Sequence, residues 1–348
     1  MAGCPPDHTG FFLVNTDASN ADIGYDTHMY VGTHINDRTF VSAGAGLEKE
    51  TENPKYDAVV NAMELCPNMA DYNVPGGTTL TGSTTNGTFK CKKNFKWSWR
   101  SNIANKSEKF GYVTASPDGS YVLAAGVREK QKTSSGFILQ RYLVKINAAT
   151  GKTVWELKMP INDPLIGNAA GYESLQFTED GGFVVAGFTN YEGGEEFPFF
   201  KSSGSTDDAT PFFEYYGPEV ANAGALTTAT PKWQFKCDPE SGKPGTSQCD
   251  YGLGSIKSMR VFKENGVEKV VGIAKGTSFI VLNVSDGSVD KYANPAPATN
   301  AKTAVPSTDS NTDIEVEINA AGQAVFVTTG IHAGIDTVSK GCDNKGRV

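Results

Sequence analysis

The segment 15–26 carries oxygen side chains spaced like those of a metal-binding loop. Asn15, Asp17, Ser19 and Asp26 occupy positions 1, 3, 5 and 12 of this segment, the spacing by which an EF-type loop wraps Ca²⁺. Position 6 is Asn20 where such loops have Gly, and position 12 is Asp where the longer Glu is usual. The segment therefore predicts either a calcium site or a solvated turn capped by Asx side chains.

Side chains suited to catalysis are few. The chain has only 4 histidines, at positions 8, 28, 34 and 332, and His34 and His332 lie beside repeated hairpins, where a structural role is the simpler interpretation. No Gly-x-Ser-x-Gly elbow, P-loop or His-Glu-x-x-His motif is present. We predict no catalytic residues and favour a protein that is not an enzyme.

The 6 cysteines are interpreted as three disulfides. None forms a C-x-x-C pair, which argues against a metal–thiolate centre. Cys237 and Cys249 enclose a segment rich in Pro, Gly and Ser and are the pair we predict most directly; pairing Cys66 with Cys91 and Cys4 with Cys342 is one choice among many. Disulfides persist in oxidising compartments; six reduced cysteines in a cytosolic protein are the alternative.

Three Asn-x-Ser/Thr sequons, at Asn86, Asn105 and Asn283, match the acceptor site for N-glycosylation. Together with the cysteines they predict a secreted glycoprotein, located outside the cell or on its surface. Such triplets also arise by chance in a chain rich in Asn, Ser and Thr.

The charge balance argues against nucleic acid as a partner. The chain has 39 acidic and 31 basic side chains and a net charge of −8, whereas proteins that bind nucleic acid concentrate Lys and Arg. Its longest apolar stretches, such as 121–127, are much shorter than a membrane span. We expect neither a nucleic-acid partner nor a transmembrane segment.

An internal repeat organises the chain. Residues 111–126 and 171–187 share an alternating strand, an Asp-Gly turn and an aliphatic strand ending in Ala-Gly, a strong hairpin signal. Weaker copies occupy 33–44, 259–272 and 314–330. Their terminal glycines are roughly 60 to 85 residues apart, so we interpret the chain as a minimal repeated unit decorated by loops of unequal length.

A second repeated element follows the hairpins. Residues 142–155 contain a strand, a Thr-Gly-Lys turn and a strand that closes on Trp155, and residues 279–292 have the same layout. Trp97, Trp99 and Trp233 lie in segments that match the last strand of two other units. Each full unit therefore contains four short strands.

Repeated four-stranded antiparallel sheets predict an all-β β-propeller, with five blades visible and five to seven allowed; a β-sandwich is the alternative. The Thr-Gly-Lys-and-Trp element and the Asp-Gly-Gly-Phe-Val-Val-Ala-Gly hairpin resemble those of the quinoprotein-like and Asp-Gly-repeat propellers over residues 25–335. The resemblance implies architecture. It implies pyrroloquinoline quinone only for members with further cofactor contacts, and the adjacent cysteines that some of them place over the cofactor are absent here.

We expect a single propeller domain over 1–348. The segment 47–90 is interpreted as a disulfide-containing insertion or a cryptic blade, and 341–348 as the start of a Cys-containing module. Isolated strands are predicted at 11–14 and 335–338, and these would complete one sheet if the ring closes.

The segment 191–216 concentrates aromatic residues that predict either a contact surface or blade core: Phe197, Phe199, Phe200, Phe212, Phe213, Tyr215 and Tyr216. We expect protein or glycan partners, or self-assembly, in a cell-surface or extracellular filament structure. The alternative function is an enzyme with its active site in the central funnel, acting with a quinone or on a polysaccharide.

Overall fold

The computed structural model describes residues 27–36, 39–47, 55–64, 95–101, 106–133, 136–190, 209–237, 255–256, 258–273, 279–293 and 310–331. Almost all of their regular structure is β. The strands are β1 (Thr27–Asn36), β2 (Thr39–Leu47), β3 (Tyr56–Glu64), β4 (Phe95–Arg100), β5 (Glu108–Ala115), β6 (Tyr121–Thr133), β7 (Gly136–Asn147), β8 (Thr153–Lys158), β9 (Gly171–Phe177), β10 (Phe183–Thr189), β11 (Thr210–Tyr216), β12 (Trp233–Lys236), β13 (Ser258–Glu264), β14 (Val267–Ile273), β15 (Phe279–Asn283), β16 (Val289–Ala293), β17 (Ser310–Ile318) and β18 (Ala324–Ile331), with one short helix, α1 (Pro218–Asn222).

The strands form four antiparallel four-stranded sheets and one hairpin, each in chain order. We call β1–β4, β5–β8, β9–β12 and β13–β16 the first to fourth blades, and β17–β18 the fifth hairpin. The substantial contacts between sheets join consecutive ones, chiefly through their first strands: β1 with β5, β5 with β9, β9 with β13, and β13 with β17. The first strands therefore converge, and the chain is an all-β propeller with four-stranded blades, as the repeat predicts.

All five predicted hairpins are present as the first and second strands of a sheet. Asp118-Gly119 and Asp180-Gly181 provide their turns, with Gly119 at φ +69° and Gly181 at φ +84°, which glycine adopts without strain. The second repeated element supplies the third and fourth strands, β7–β8 and β15–β16.

Tryptophans of the outer strands close the first blade over the second and the third blade over the fourth. The indole N–H of Trp97 in β4 donates to Ala148 O in the β7–β8 turn, at 2.8 Å. That of Trp233 in β12 donates to Val284 O after β15, at 2.7 Å. A Cβ at Gly151 or Gly287 would lie 2.7 Å from the Trp97 or Trp233 ring respectively, so the Gly in these turns makes room for the tryptophan.

A β-bulge recurs in the first strand of four of the five sheets. The pairing skips residue 30 in β1, 111 in β5, 173 in β9 and 312 in β17, and β1 has a second irregularity at 35. The bulge brings the backbone of the first strand close to the second strand. A Cβ at Gly126 would overlap Lys109 O, and a Cβ at Gly187 would overlap Gly171 O. In the fourth blade, which pairs without a bulge, a Cβ at Gly272 would instead meet Phe213 and Ile256 side chains. In the second and third blades, the Gly near the end of the second strand is thus required by the close approach of the first strand at the bulge.

The core consists of separate apolar layers between consecutive sheets. The segment 47–90, interpreted from sequence as an insertion or a cryptic blade, contains β3, the third strand of the first blade. That part belongs to a blade already counted, and the rest lies outside the described residues, as do 11–14, 335–338 and 341–348. Among the described residues, no helix has the length and apolarity that crossing a membrane would need.

Candidate functional site: a charged connection face

One face of the propeller carries ion pairs between neighbouring blades. We call it the connection face, because the chain crosses it from the second to the third strand of each blade and from the fourth strand to the next blade. Basic and acidic residues at the adjoining strand ends form ion pairs between neighbouring blades: Lys55 with Glu129, Lys109 with Glu173, Arg141 with Glu214, and Arg260 with Glu315.

One ion pair joins two of the converging first strands, β5 and β9. Lys109 Nζ lies 3.1 Å from Glu173 Oε1. Both side chains are about nine-tenths buried. Glu173 is the bulged residue of β9, and a bulge re-aims the side chain that it carries. The bulge therefore places a carboxylate opposite the lysine of the preceding blade.

A buried network around Glu214 joins the second and third blades. The Arg141 guanidinium and the Tyr172 hydroxyl donate to Glu214, as does the Tyr216 hydroxyl, at 3.1 Å. Gln234 Nε2 also donates to it, at 2.7 Å. Charge-assisted hydrogen bonds are the strong ones, so this carboxylate has donors from three strands of its own blade and one of the blade before.

Asp163 extends the network into the segment that connects β8 to β9. It accepts hydrogen bonds from Arg141 Nη2 (2.8 Å), Gln234 Nε2 (2.9 Å), and the backbone N–H groups of Leu165 and Ile166. Burial opposes its ionisation, but these hydrogen bonds prevail and lower the pKa of Asp163 to about 2. The Asp163 carboxylate thus helps to hold the connection 159–170 to the blades, together with hydrogen bonds such as that from Leu139 N–H to Asn168 O, at 2.9 Å. The connection presents Leu165, 41% exposed, at the surface.

The junction between the first and second blades is less completely paired. Glu108 is fully buried, and Arg128 Nε approaches its Oε1 to 3.3 Å. Neither Glu108 oxygen, nor Nε and Nη1 of Arg128, has a well-formed hydrogen bond in the described part of the chain. Burial raises the pKa of Glu108, and the nearby Ser101 hydroxyl and Arg128 charge only partly offset it.

Four of the seven aromatic residues predicted as a contact surface lie in β11, and all four are buried: Phe212, Phe213, Tyr215 and Tyr216. The contact-surface interpretation is therefore corrected for these four, and the blade-core alternative holds. β11 is the third strand of its blade and is packed between two neighbouring sheets, so the aromatics fill the core on both sides. Phe197, Phe199 and Phe200 lie outside the described residues.

Of the other predicted site residues, only Cys237 and Asn283 lie within the described residues. Cys237 is buried and disulfide-bonded; its partner lies outside the described residues, since the other five cysteines do. Asn283 ends β15 and donates from Nδ2 to Ser288 Oγ at 3.0 Å. Asn86, Asn105, Asn15, Asp17, Ser19 and Asp26 lie outside the described residues. Within the described ranges, no three His, Cys, Asp or Glu side chains are placed to hold a metal ion.

The charged network was not anticipated from sequence. The available signal is a charge within a mostly apolar strand, such as Arg141 in β7 and Glu214 in β11. A lone charge in a strand does not reveal its partner on another blade, because the pairs are separated by 73 residues for Arg141 and Glu214 and by 64 for Lys109 and Glu173.

The buried basic residues of the second junction do not fit the binding of a quinone cofactor. Pyrroloquinoline quinone carries carboxylates, which basic side chains would have to bind. Lys109 and Arg141, the basic residues buried at the second junction, are already matched by carboxylates of the same chain. These two residues are therefore not available to bind the carboxylates of a quinone.

Comparison with solved structures returns propeller proteins at low similarity. The quinohemoprotein alcohol dehydrogenase ADHIIG of Pseudomonas putida HK5 matches with a TM-score of 0.39 and 10% identity, over 72% of this chain and 35% of its own. The quinohemoprotein alcohol dehydrogenase of Comamonas testosteroni matches with a TM-score of 0.37 and 11% identity, over 80% of this chain and 46% of its own. BamB of Moraxella catarrhalis matches with a TM-score of 0.25 and 13% identity, over 70% and 66%.

The chain thus spans less than half the length of the two dehydrogenases that it matches. No protein-family model and no curated protein matches the sequence.

Proposed function

We propose that the chain is a secreted, glycosylated β-propeller that acts as a non-catalytic binding or assembly module of a cell-surface or extracellular filament structure. One observation carries this proposal: the buried charged side chains of the connection face are used in ion pairs between blades. Such pairs fix the relative position of the blades and leave recognition to the connecting segments.

The connecting segments differ greatly in length, as recognition loops do. Every first-to-second-strand turn is short, whereas the connections from one blade to the next cover 101–107, 159–170, 237–257 and 294–309. A rigid scaffold that presents connections of unequal length suits binding of a protein or glycan partner.

Secretion is supported by the disulfide at Cys237 and by the sequons. Asn283 stands at the end of an outer-half strand, partly exposed, where an oligosaccharide could be accommodated without entering the core. Calcium binding by residues 15–26 is part of the same proposal as a structural element of an extracellular protein.

The test is imaging of native material. Purified protein examined by negative-stain electron microscopy should show polymers or a partner-bound particle, and peptide mapping should find glycan at Asn283 with Asn147, which has no sequon, as the control. Dispersed, unglycosylated monomers would remove the basis of the proposal. Reduction of an electron-acceptor dye with an alcohol after quinone addition, or cleavage of a polysaccharide, would favour the enzyme alternative instead.

A further inference from the structure

Three lysines surround one covered carboxylate where the first blade meets the second. Lys55 Nζ lies 2.9 Å from Glu129 Oε2, and the same oxygen accepts a hydrogen bond from the Ser107 N–H, at 3.2 Å. The ammonium of Lys106 donates to the backbone carbonyl of Lys130. These contacts gather the three lysine side chains around Ser107 and Glu129. We call Lys55, Lys106 and Lys130 the lysine cluster.

In the lysine cluster the positive charge is exposed and the negative charge is covered. The side chain of Lys55 is 28% exposed, whereas that of Glu129 is 6% exposed. Lys130 is exposed and Lys106 is partly exposed, and neither forms an ion pair within the described residues. The cluster therefore presents more positive than negative charge to the solvent.

This excess of positive charge is local. In the ion pair of Arg260 with Glu315 the carboxylate is the more exposed partner, at 63% against 22%, and the whole chain has a net charge of −8. At physiological salt the screening length is about 8 Å. Acidic side chains elsewhere on the chain therefore act only weakly on an anion bound at the lysine cluster.

The lysine cluster lies on an extended hairpin. β6 has 13 residues, whereas the other second strands β2, β10 and β14 have 9, 7 and 7. The pairing of β5 with β6 reaches Arg128, and β6 continues beyond it, paired with β7 up to Thr133. The pairing with β7 skips Lys130, and such a bulge re-aims the side chain that it carries. Lys130 is thus presented by a paired strand.

The residues beside Lys130 provide no exposed apolar anchor. Arg128 and Glu129 are buried, and Gln131 is exposed. Protein partners are held mainly by large side chains buried in desolvated pockets, which lysines and an exposed amide do not supply. Lysines with a polar neighbour suit a ligand that carries repeated charges and hydroxyl groups. This chemistry favours an acidic polysaccharide over an acidic protein segment.

We propose that the lysine cluster binds an anionic polysaccharide through its carboxylate or sulfate groups. Lys106 and Lys130 bind the anionic groups, and the Gln131 amide hydrogen-bonds to hydroxyls. An ammonium group has three donors, so Lys106 can keep its bond to the Lys130 carbonyl and still bind the ligand. This inference rests on the proposed function, because it names the chemical class of the glycan partner.

Fluorescence anisotropy of the full chain with labelled oligosaccharides tests this site. The probes are heparin, which carries sulfates, and alginate, which carries only carboxylates, at about 0.1 M salt. Lys106→Gln/Lys130→Gln should weaken binding by about tenfold or more and lower the slope of log K against log salt by about 2, one for each lysine.

The matched control removes two lysines from another part of the surface. Lys152 lies in the β7–β8 turn, and Lys232 directly precedes β12; both are exposed. Lys152→Gln/Lys232→Gln changes the net charge by the same amount and should leave the affinity and the salt slope unchanged. Equal losses in the two double variants would show that only net charge matters, and would overturn the proposal.

Two further outcomes would overturn it. One is failure of both polysaccharides to bind. The other is binding of polyglutamate as tightly as of the polysaccharides, which would assign the cluster to an acidic protein partner. Binding of heparin alone or of alginate alone supports the proposal and identifies the anionic group. Polysaccharide binding by a protein that images as dispersed monomers would support the cluster and remove the assembly part of the proposed function, whereas polymers without polysaccharide binding would do the reverse.

Discussion

The junction between the second and third blades pairs its buried carboxylates more completely than the junction between the first and second blades. In the second-to-third junction the carboxylates of Glu214 and Asp163 have several donors each. In the first-to-second junction Glu108 and Arg128 face each other without a well-formed hydrogen bond in the described residues.

At the outer strands, the first-to-second junction is the better hydrogen-bonded of the two. Trp97 and Trp99 of the first blade donate their indole N–H groups to the second, to Ala148 O and Thr153 Oγ1. Trp155, which faces the third blade, is buried, and its indole N–H has no partner among the described residues. In the third blade, the third and fourth strands are joined by a longer segment that contains α1, in place of the short turn of the second blade. Lys145 Nζ donates hydrogen bonds to Ala221 O and Ala223 O at the end of this helix. Among the described residues, the first-to-second junction thus has buried polar groups without a partner at its inner strands, and the second-to-third junction has one at its outer strands, at Trp155.

The largest expected effect is removal of Glu214. Glu214→Ala should lower the free energy of unfolding by about 3–5 kcal/mol, because it leaves the buried Arg141 charge without its main partner. Urea denaturation followed by tryptophan fluorescence measures it. The double variant Arg141→Met/Glu214→Leu should recover most of the loss; an equal or larger loss in the double variant would show that packing, and not the uncompensated charge, dominates.

A smaller effect is expected from the bulge that positions Lys109. Gly126→Ala should cost about 2–3 kcal/mol by overpacking, since the added Cβ overlaps Lys109 O and the backbone cannot move away without shifting the ion pair with Glu173. Gly272→Ala, in the unbulged fourth blade, is the control and should cost less, because side chains there can adjust. Thermal unfolding compares the two, and equal losses would contradict a role for the bulge.

The next effect in size concerns the indole hydrogen bonds of Trp97 and Trp155. Trp97→Phe should cost about 1 kcal/mol more than Trp155→Phe, because only the first substitution removes a hydrogen bond and strands Ala148 O. Denaturant midpoints of the two variants provide the test. A larger loss for Trp155→Phe would mean that the cavity left at this more deeply buried ring outweighs the hydrogen bond of Trp97.

The smallest and most specific effect is on pH dependence. The folded pKa of Glu108 is raised, so the free energy of unfolding should fall as pH rises from the ordinary carboxyl range through that pKa. The pKa of Asp163 is lowered to about 2, so its contribution should be complete above its ordinary pKa and be lost as pH falls toward 2.

Stability measured against pH separates these contributions. Glu108→Gln should remove the decline on the neutral side, and Asp163→Asn the decline on the acid side. A Glu108→Gln profile parallel to that of the unmodified protein would contradict the assignment of Glu108.

Much of the fold could be predicted because hairpin information is local. The Asp-Gly turns, alternating strands and closing tryptophans each depend on neighbours in sequence, and all five predicted hairpins are present. The aromatic segment was ambiguous for a physical reason: β11 is buried on both faces, so Phe212, Phe213, Tyr215 and Tyr216 lose the alternation that would have identified them as core.

The sequence by itself determined the class of fold, the four-stranded unit and the positions of its turns, since these follow from side-chain period and backbone conformation within short segments. Only the tertiary structure decided which charges meet. Lys109 and Glu173, or Arg141 and Glu214, are brought together by stacking of blades, and burial then makes their pairing obligatory, because an unpaired charge between two sheets would cost more free energy than the junction can supply.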